Sequence, residues 1–154
     1  MTQEDKDLLL QDLCGRLPYR VKCKYYDCYE GDYYEGIALG FEREEFIHIC
    51  GRCIHIEEVK PYLLPLSSMT GEQKKEFKEI SKCEYEIRDY GGFDSEGVYL
   101  IEIGSYEYEH DINTTFEEFY FNHEIINWLN KNHFDYRGLI EVGLAIDATG
   151  LNIY

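Results

Sequence analysis

A pair of short alternating segments around a tight turn is the strongest constraint on the fold of this chain. Residues 46–50 and 53–59 alternate apolar with polar side chains on either side of Gly51-Arg52, a pattern typical of an antiparallel β-hairpin. Because successive side chains point to opposite faces of a strand, the Ile residues should share one buried face. Read outward from the turn, the predicted facing pairs are Cys50 with Cys53, Ile49 with Ile54, His48 with His55, and Ile47 with Ile56.

Two more β-prone stretches, residues 21–26 and 33–41, precede the hairpin. A short twisted sheet must cover its apolar side, so this antiparallel meander is predicted to curl into a small barrel or half-barrel. Before it, Thr2 and the apolar spacing predict an N-terminal helix over about residues 3–14, which Gly15 is expected to end.

The second half of the chain alternates helical and strand signals. Capping boxes (Ser/Thr-x-x-Glu/Gln) and apolar periodicity indicate where its helices begin, and glycines mark the loops between the elements. The predicted elements are a capping helix from about Thr70 to Lys82, a second β-hairpin of residues 84–89 and 98–109, a long C-terminal helix over about residues 116–132, and a short terminal helix from Asp135 that Gly143 stops.

Length and composition predict one folded α+β domain. With 154 residues, 44% apolar and 16% aromatic, the chain can bury one sizeable core. We expect a single domain over residues 1–154, in which residues 1–66 form the helix and β-meander and residues 67–154 form an α+β remainder packed on it.

The charge balance restricts the classes of molecule that the protein is expected to bind. The chain has 15 Lys and Arg against 31 Asp and Glu, a net charge of −16, which repels nucleic acids and anionic membranes. The first residues lack an apolar stretch of signal-peptide length, so a cytoplasmic location and reduced thiols are expected. Between Arg88 and Lys131 there is no Lys or Arg, which predicts either a solvated acidic face or a docking surface for a basic protein, with Glu102, Glu107 and Glu109 as candidate contacts.

Tyrosines are concentrated in one strand–loop–strand region. Tyr offers a large rigid ring with a polar tip and is therefore favoured at protein interfaces. About every second Tyr in this region should instead pack inward, by strand alternation. The predicted contact residues are Tyr26, Tyr29, Tyr33 and Tyr34.

Four cysteines suggest an alternative role as a zinc site. Paired thiolates hold structural zinc, and Cys23, Cys28, Cys50 and Cys53 supply two such pairs. His48 and His55 are expected to share a face with the hairpin thiols, but four ligands rising from one flat face surround a metal poorly. Semi-buried thiols without metal are the simpler interpretation, and no cofactor is expected.

The sequence contains no recognisable catalytic centre. His123-Glu124 begins a near match to the HExxH zinc-protease motif, but Asn127 stands where the second His is required. Acid and base groups at His110-Asp111 and Glu117-Glu118 are more simply polar turn residues. We therefore predict that the protein is not an enzyme.

Three segments carry a resemblance to other proteins. They are residues 1–19 (MTQEDKDLLLQDLCGRLPY), 57–70 (EEVKPYLLPLSSMT) and 126–147 (INWLNKNHFDYRGLIEVGLAID). Together they resemble a group of small uncharacterised proteins encoded by gut Bacteroidetes and by their phages and mobile elements. The resemblance implies a genomic context and carries no catalytic or binding residues.

These observations predict a non-enzymatic, acidic accessory protein of a phage or mobile element. It would bind, and in doing so could inhibit, a protein partner through an acidic, Tyr-rich surface. Two alternatives stay open: a small-ligand-binding or sequestering protein, and a zinc-stapled structural module.

Overall fold

A computed structural model of the protein describes residues 1–42, 45–81, 85–93, 99–105 and 123–154. The chain forms two compact units, residues 1–65 with 130–154, and residues 66–129. The predicted α+β class is confirmed by an N-terminal helix, a mixed and mostly antiparallel sheet, and short helices. The first boundary between the units falls after Pro65, and residues 130–154 belong to the same unit as residues 1–65.

The described helices and strands follow one another in a simple order. Short 3-10 helices occur at Leu17–Tyr19, Ile56–Glu58 and Leu66–Ser68. The elements are α1 (Gln3–Arg16), β1 (Lys22–Asp27), β2 (Asp32–Glu42), β3 (Phe46–Ile49), β4 (Arg52–His55), β5 (Val59–Pro65), α2 (Gly71–Ser81), β6 (Tyr85–Phe93), β7 (Tyr99–Ser105), α3 (His123–Lys131), β8 (Phe134–Asp135) and β9 (Ile146–Asp147).

Helix α1 begins as predicted and ends later than predicted. Thr2 and Asp5 form a reciprocal capping box, in which the Asp5 amide donates to Thr2 Oγ1 over 3.1 Å. The prediction that Gly15 ends the helix is wrong, because α1 continues to Arg16. Gly15 instead allows the side chain of Asn130 to approach the helix closely, since a Cβ at this position would lie 2.8 Å from the Nδ2 atom of Asn130.

The sheet of the first unit has the order β4-β3-β2-β1-β5-β8, and β9 also pairs with β5. The first five strands are antiparallel to their neighbours, while β8 and β9 both run parallel to β5. Strand β4 contacts β1 although two strands separate them in the sheet order, so the meander is strongly curled. Strands β8 and β9 lie where the sequence predicted a short helix and an irregular tail.

The hairpin of β3 and β4 has a different register from the predicted one. The observed pairs are Phe46 with His55, Ile47 with Ile54, His48 with Cys53, and Ile49 with Arg52. The central turn residues are Cys50 and Gly51, with φ angles of 50° and 81°, as a type I′ turn requires at both positions. The predicted pairing of Cys50 with Cys53 is therefore wrong, but the predicted burial of all four Ile residues (47, 49, 54 and 56) is confirmed.

The core of the first unit lies between α1 and the concave face of the curled sheet. Leu9 and Leu13 bring one face of α1 into it, and Leu139 and Leu144 contribute from the later part of the chain. The sheet and its connections supply the other fully or nearly buried apolar residues of this core: Val21, Cys23, Tyr25, Ala38, Ile47, Ile49, Ile54, Ile56, Val59, Leu63 and Ala145. The interior of the curled sheet is therefore filled by side chains.

The predicted short terminal helix is absent from the described residues, and residues 136–145 form turns instead. The Asp135 carboxylate accepts the amides of Leu139 and Ile140 at 2.9 and 2.7 Å, as a helix cap would. Gly138 and Gly143, with φ of 73° and 76°, then take the chain out of helical geometry on both sides of this single turn.

Three predicted elements from residue 66 onward are confirmed in their described parts. Helix α2 begins with the predicted capping box, in which Thr70 and Gln73 exchange hydrogen bonds of 2.9 and 3.2 Å. The rings of Phe77 and Trp128 lie 5.4 Å apart in a tilted contact. Strands β6 and β7 form the second antiparallel hairpin. Helix α3 covers residues 123–131 of the predicted long helix, and residues 116–122 of that prediction lie outside the described residues.

Candidate functional site

A fixed turn presents the tyrosine-rich region at the tip of the β1–β2 hairpin. The Asp27 side chain is buried, and its Oδ1 accepts the amides of Tyr29 and Glu30 at 2.9 and 3.4 Å. Its backbone carbonyl accepts the Gly31 amide at 2.7 Å. These bonds hold the turn in one conformation, with Gly31 at a φ of 72°.

Three of the four predicted tyrosines lie in or beside this turn. Tyr29 is 95% exposed at the turn, and Tyr33 is 61% exposed on the outer face of the hairpin. Tyr26 is paired with Tyr33 across the strands, with ring centroids 5.1 Å apart. We call Tyr26, Tyr29 and Tyr33 the tyrosine tip.

Tyr34 lies on the other face of the hairpin and is separated from the tyrosine tip. It is half-buried, 6.0 Å from the ring of the buried Tyr25, and its hydroxyl donates to Glu30 over 3.2 Å. Alternation along β2 explains this position, because Tyr33 and Tyr34 are neighbours in one strand.

The outer face beside the tyrosine tip carries both signs of charge. The Lys24 ammonium lies 5.0 Å from the centre of the Tyr33 ring, in a cation–π contact. Lys24 is paired with Glu35 on β2 and with Lys60 on β5. Glu35 accepts the Tyr62 hydroxyl over 2.7 Å, and burial together with this carboxylate raises the pKa of Tyr62 to about 12. On this face, the surface that was predicted to be acidic therefore carries both positive and negative charges.

Arg52 neutralises part of the acidity at the turn. It forms an ion pair with the buried Asp27, and its Nη2 atom donates a hydrogen bond of 2.9 Å to the Glu30 carboxylate. Its guanidinium also lies 5.6 Å from the centre of the Tyr34 ring. Arg52 thus links β4 to the hairpin turn. The sequence does not predict this role, because it depends on how far the sheet curls.

The acidic candidates of the second unit are only partly described. Glu102 lies in β7 and is paired in the strand register with Arg88 of β6. Glu107 and Glu109 lie outside the described residues, as do His110, Asp111, Glu117 and Glu118. His123 and Asn127 both lie in α3.

The structure does not bring together the four cysteines of the predicted zinc site. Cys23 is fully buried in the core, and this burial raises the pKa of its thiol far above the usual range. Cys28, Cys50 and Cys53 are exposed. Within the described part of the chain, no three of these thiols come close enough to share a metal ion.

A different set of possible metal ligands lies on the outer side of β2, β3 and β4. The carboxylate of Glu42, the imidazole of His48 and the thiol of Cys53 each offer a ligand atom, and these atoms lie within 4.8 Å of one another. His48 and Cys53 were candidate ligands from the sequence, whereas Glu42, which lies on the preceding strand, was not.

The chain matches no protein-family model, and comparison with curated proteins and with solved structures found no similar protein. Among the described helices, none is long and apolar enough to cross a membrane.

Proposed function

We propose that this protein is a non-enzymatic binding protein that contacts a protein partner through the tyrosine tip. The observation that carries the proposal is the exposure of Tyr29 and Tyr33, 95% and 61%, in a hairpin whose neighbouring Tyr25 is only 4% exposed. Rings of this size supply much of the binding energy in protein interfaces, where a single anchor commonly contributes about 2 kcal/mol or more.

The rigidity of the turn supports this role. Binding is weakened by the entropy lost when interface side chains and loops become ordered. The three hydrogen bonds to Asp27 and its ion pair with Arg52 order the turn before any partner binds. Tyr29 is therefore presented on a backbone that needs little rearrangement.

Charge supports a basic surface on the partner. The net charge of −16 creates a long-range field that accelerates encounters with cationic proteins. At the contact itself, Lys24 and Glu35 provide one charge of each sign, so a partner needs complementary charges there in addition to aromatic contact. The resemblance to phage and mobile-element proteins makes a bacterial host protein the natural candidate.

The packing is less favourable to the small-ligand alternative. Apolar side chains occupy the space between α1 and the curled sheet, so a small ligand bound inside the first unit would have to displace them.

A matched pair of variants tests the proposal by affinity capture from the lysate of a Bacteroidetes host. In Tyr29→Ser/Tyr33→Ser, the proteins retained by the wild type should be lost, because both exposed anchors are removed. Val142→Ser changes another exposed apolar residue, 59% exposed, and should leave capture unchanged. Retention of the same proteins by the double tyrosine variant would rule out the tyrosine tip as the binding surface.

A second variant separates the acidic segment from the tyrosine tip. Glu102→Lys/Glu107→Lys/Glu109→Lys reverses the charge of three residues in the stretch without Lys or Arg. We expect the captured partner to associate more slowly with this variant and to depend less on salt, measured by surface plasmon resonance at two ionic strengths. An unchanged association rate would show that the acidic segment does not guide the partner.

A further inference from the structure

A β-bulge in β2 brings Glu42 onto the same face as His48 and Cys53. Ala38 pairs with Ile49, but Gly40 pairs with His48, so one extra residue, Leu39, is inserted in β2. Without this insertion, alternation from the buried Ala38 would direct Glu42 toward the core. With it, Glu42 follows the outward alternation of Gly40, and bulges are known to redirect side chains in this way.

The three side chains are held on neighbouring strands. His48 and Cys53 are directly paired between β3 and β4, and Glu42 is paired with Phe46, two residues before His48. Their positions are therefore fixed by sheet hydrogen bonds instead of by a loop, which favours a defined arrangement of ligand atoms.

The distances agree with a tetrahedral metal centre. Zn²⁺ bonds of about 2.1 Å to O and N and about 2.3 Å to S place adjacent ligand atoms about 3.4 Å (O to N) and about 3.6 Å (O to S) apart. Glu42 Oε2 lies 3.4 Å from His48 Nε2 and 3.4 Å from Cys53 Sγ.

We propose that Glu42, His48 and Cys53 form a three-ligand site for Zn²⁺ or a similar divalent transition metal. Carboxylate, imidazole and thiolate are all zinc ligands, and three protein ligands leave the remaining position for water. The side chains of Glu42 and His48 are 56% and 42% exposed, so this open position faces solvent. The site avoids the difficulty of arranging four ligands on one flat face, and it is independent of the tyrosine tip.

The experiment is a titration of reduced, metal-stripped protein with Zn²⁺ by calorimetry and with Co²⁺ by absorption spectroscopy. The wild type should bind one ion, and the Co²⁺ form should show a thiolate charge-transfer band. Cys53→Ser should abolish that band, and Glu42→Gln and His48→Gln should each weaken Zn²⁺ binding by at least about 100-fold, because even outer residues of metal sites change affinity by 10–100-fold.

Cys50→Ser and Cys28→Ser are the matched controls, since both remove an exposed thiol outside the proposed site. They should retain the band and the wild-type affinity. The proposal is overturned if the wild type does not bind Zn²⁺, or if the control variants lose binding as fully as Cys53→Ser. Circular dichroism of each variant separates loss of binding from loss of folding.

Discussion

At the scale of single residues, Gly36 shows how the sheet can curl tightly. A Cβ built on Gly36 would lie 2.5 Å from the Cγ2 atom of Ile49 and 2.7 Å from the Sγ atom of Cys50. Ile49 is fully buried and cannot move away without disturbing its neighbours. Glycine at this position therefore lets β3 and its turn pack directly against the backbone of β2.

Gly36→Ala should lower the free energy of unfolding by about 1–3 kcal/mol, as overpacking of a core commonly does. Gly40 lies in the same strand, and among the described residues no atom comes within 4 Å of the place that a Cβ would take there. Gly40→Ala is therefore the control and should change stability by less than about 1 kcal/mol. Urea unfolding measures both. Equal effects of the two substitutions would contradict the close-packing explanation.

It was easier to predict which residues are buried than to predict which residues face each other across the strands. Alternation alone identified the buried Ile residues, because a period of two is visible in the sequence. The facing pairs depend on which two residues form the turn, and the positive φ of Cys50 gives no sequence signal comparable to that of glycine. A shift of one residue in the turn changed every predicted pair.

At the scale of elements, a buried ion pair fastens α1 to the later part of the chain. Asp12 and Arg16 are both fully buried and bonded through two contacts of 2.6 and 2.8 Å. Arg16 also donates to the carbonyl of Phe134 in β8 over 2.8 Å, and Arg137 approaches Asp12 to 3.6 Å.

Asp12→Ala should destabilise the protein by about 3–5 kcal/mol, because it leaves the Arg16 charge buried without its carboxylate. Asp12→Leu/Arg16→Met removes both charges and should recover a substantial part of that loss. Chemical denaturation followed by far-ultraviolet circular dichroism makes the comparison. A double variant as unstable as the single one would show that apolar packing cannot replace this ion pair.

Elements with strong local signals were predictable, and those formed by long-range contacts were not. The Thr70 capping box and the alternation of β1 and β2 are local features of the sequence. Strands β8 and β9 contain two residues each and exist because β5 offers them hydrogen-bonding partners. The bulge at Leu39 is equally invisible in the sequence, so Glu42 could not be predicted as a metal ligand.

At the scale of the whole molecule, residues 66–129 interrupt the chain of the first unit. The hydrogen bond from the Leu64 amide to the His133 carbonyl, 2.9 Å long, closes the first unit across this insertion. The two segments of the first unit share the core around Leu63 and Leu139. The first unit therefore contains the contacts expected of an independently folding body.

We expect residues 1–65 and 130–154 to fold when residues 66–129 are replaced by a flexible Gly/Ser linker of about 15 residues, long enough to join the two segments. The measurement is cooperative thermal unfolding, together with dispersed amide resonances in a nuclear magnetic resonance spectrum. A matched chain that ends at residue 65 lacks β8 and β9 and should remain unfolded. Failure of the linked chain to unfold cooperatively would show that the first unit depends on residues 66–129.

Strands β8 and β9 follow β5 by many residues, so their parallel pairing with β5 can form only late in synthesis. Strand β5 leaves the ribosome about 70 residues before its partner β8. The Tyr62 carbonyl accepts a hydrogen bond of 2.8 Å from the Tyr154 hydroxyl, which is made only after β8 and β9. During that interval the whole of residues 66–129 is made and is free to fold first. The edge of β5 meanwhile has unsatisfied backbone groups, so the nascent chain is most vulnerable to mispairing or to chaperone binding at this stage.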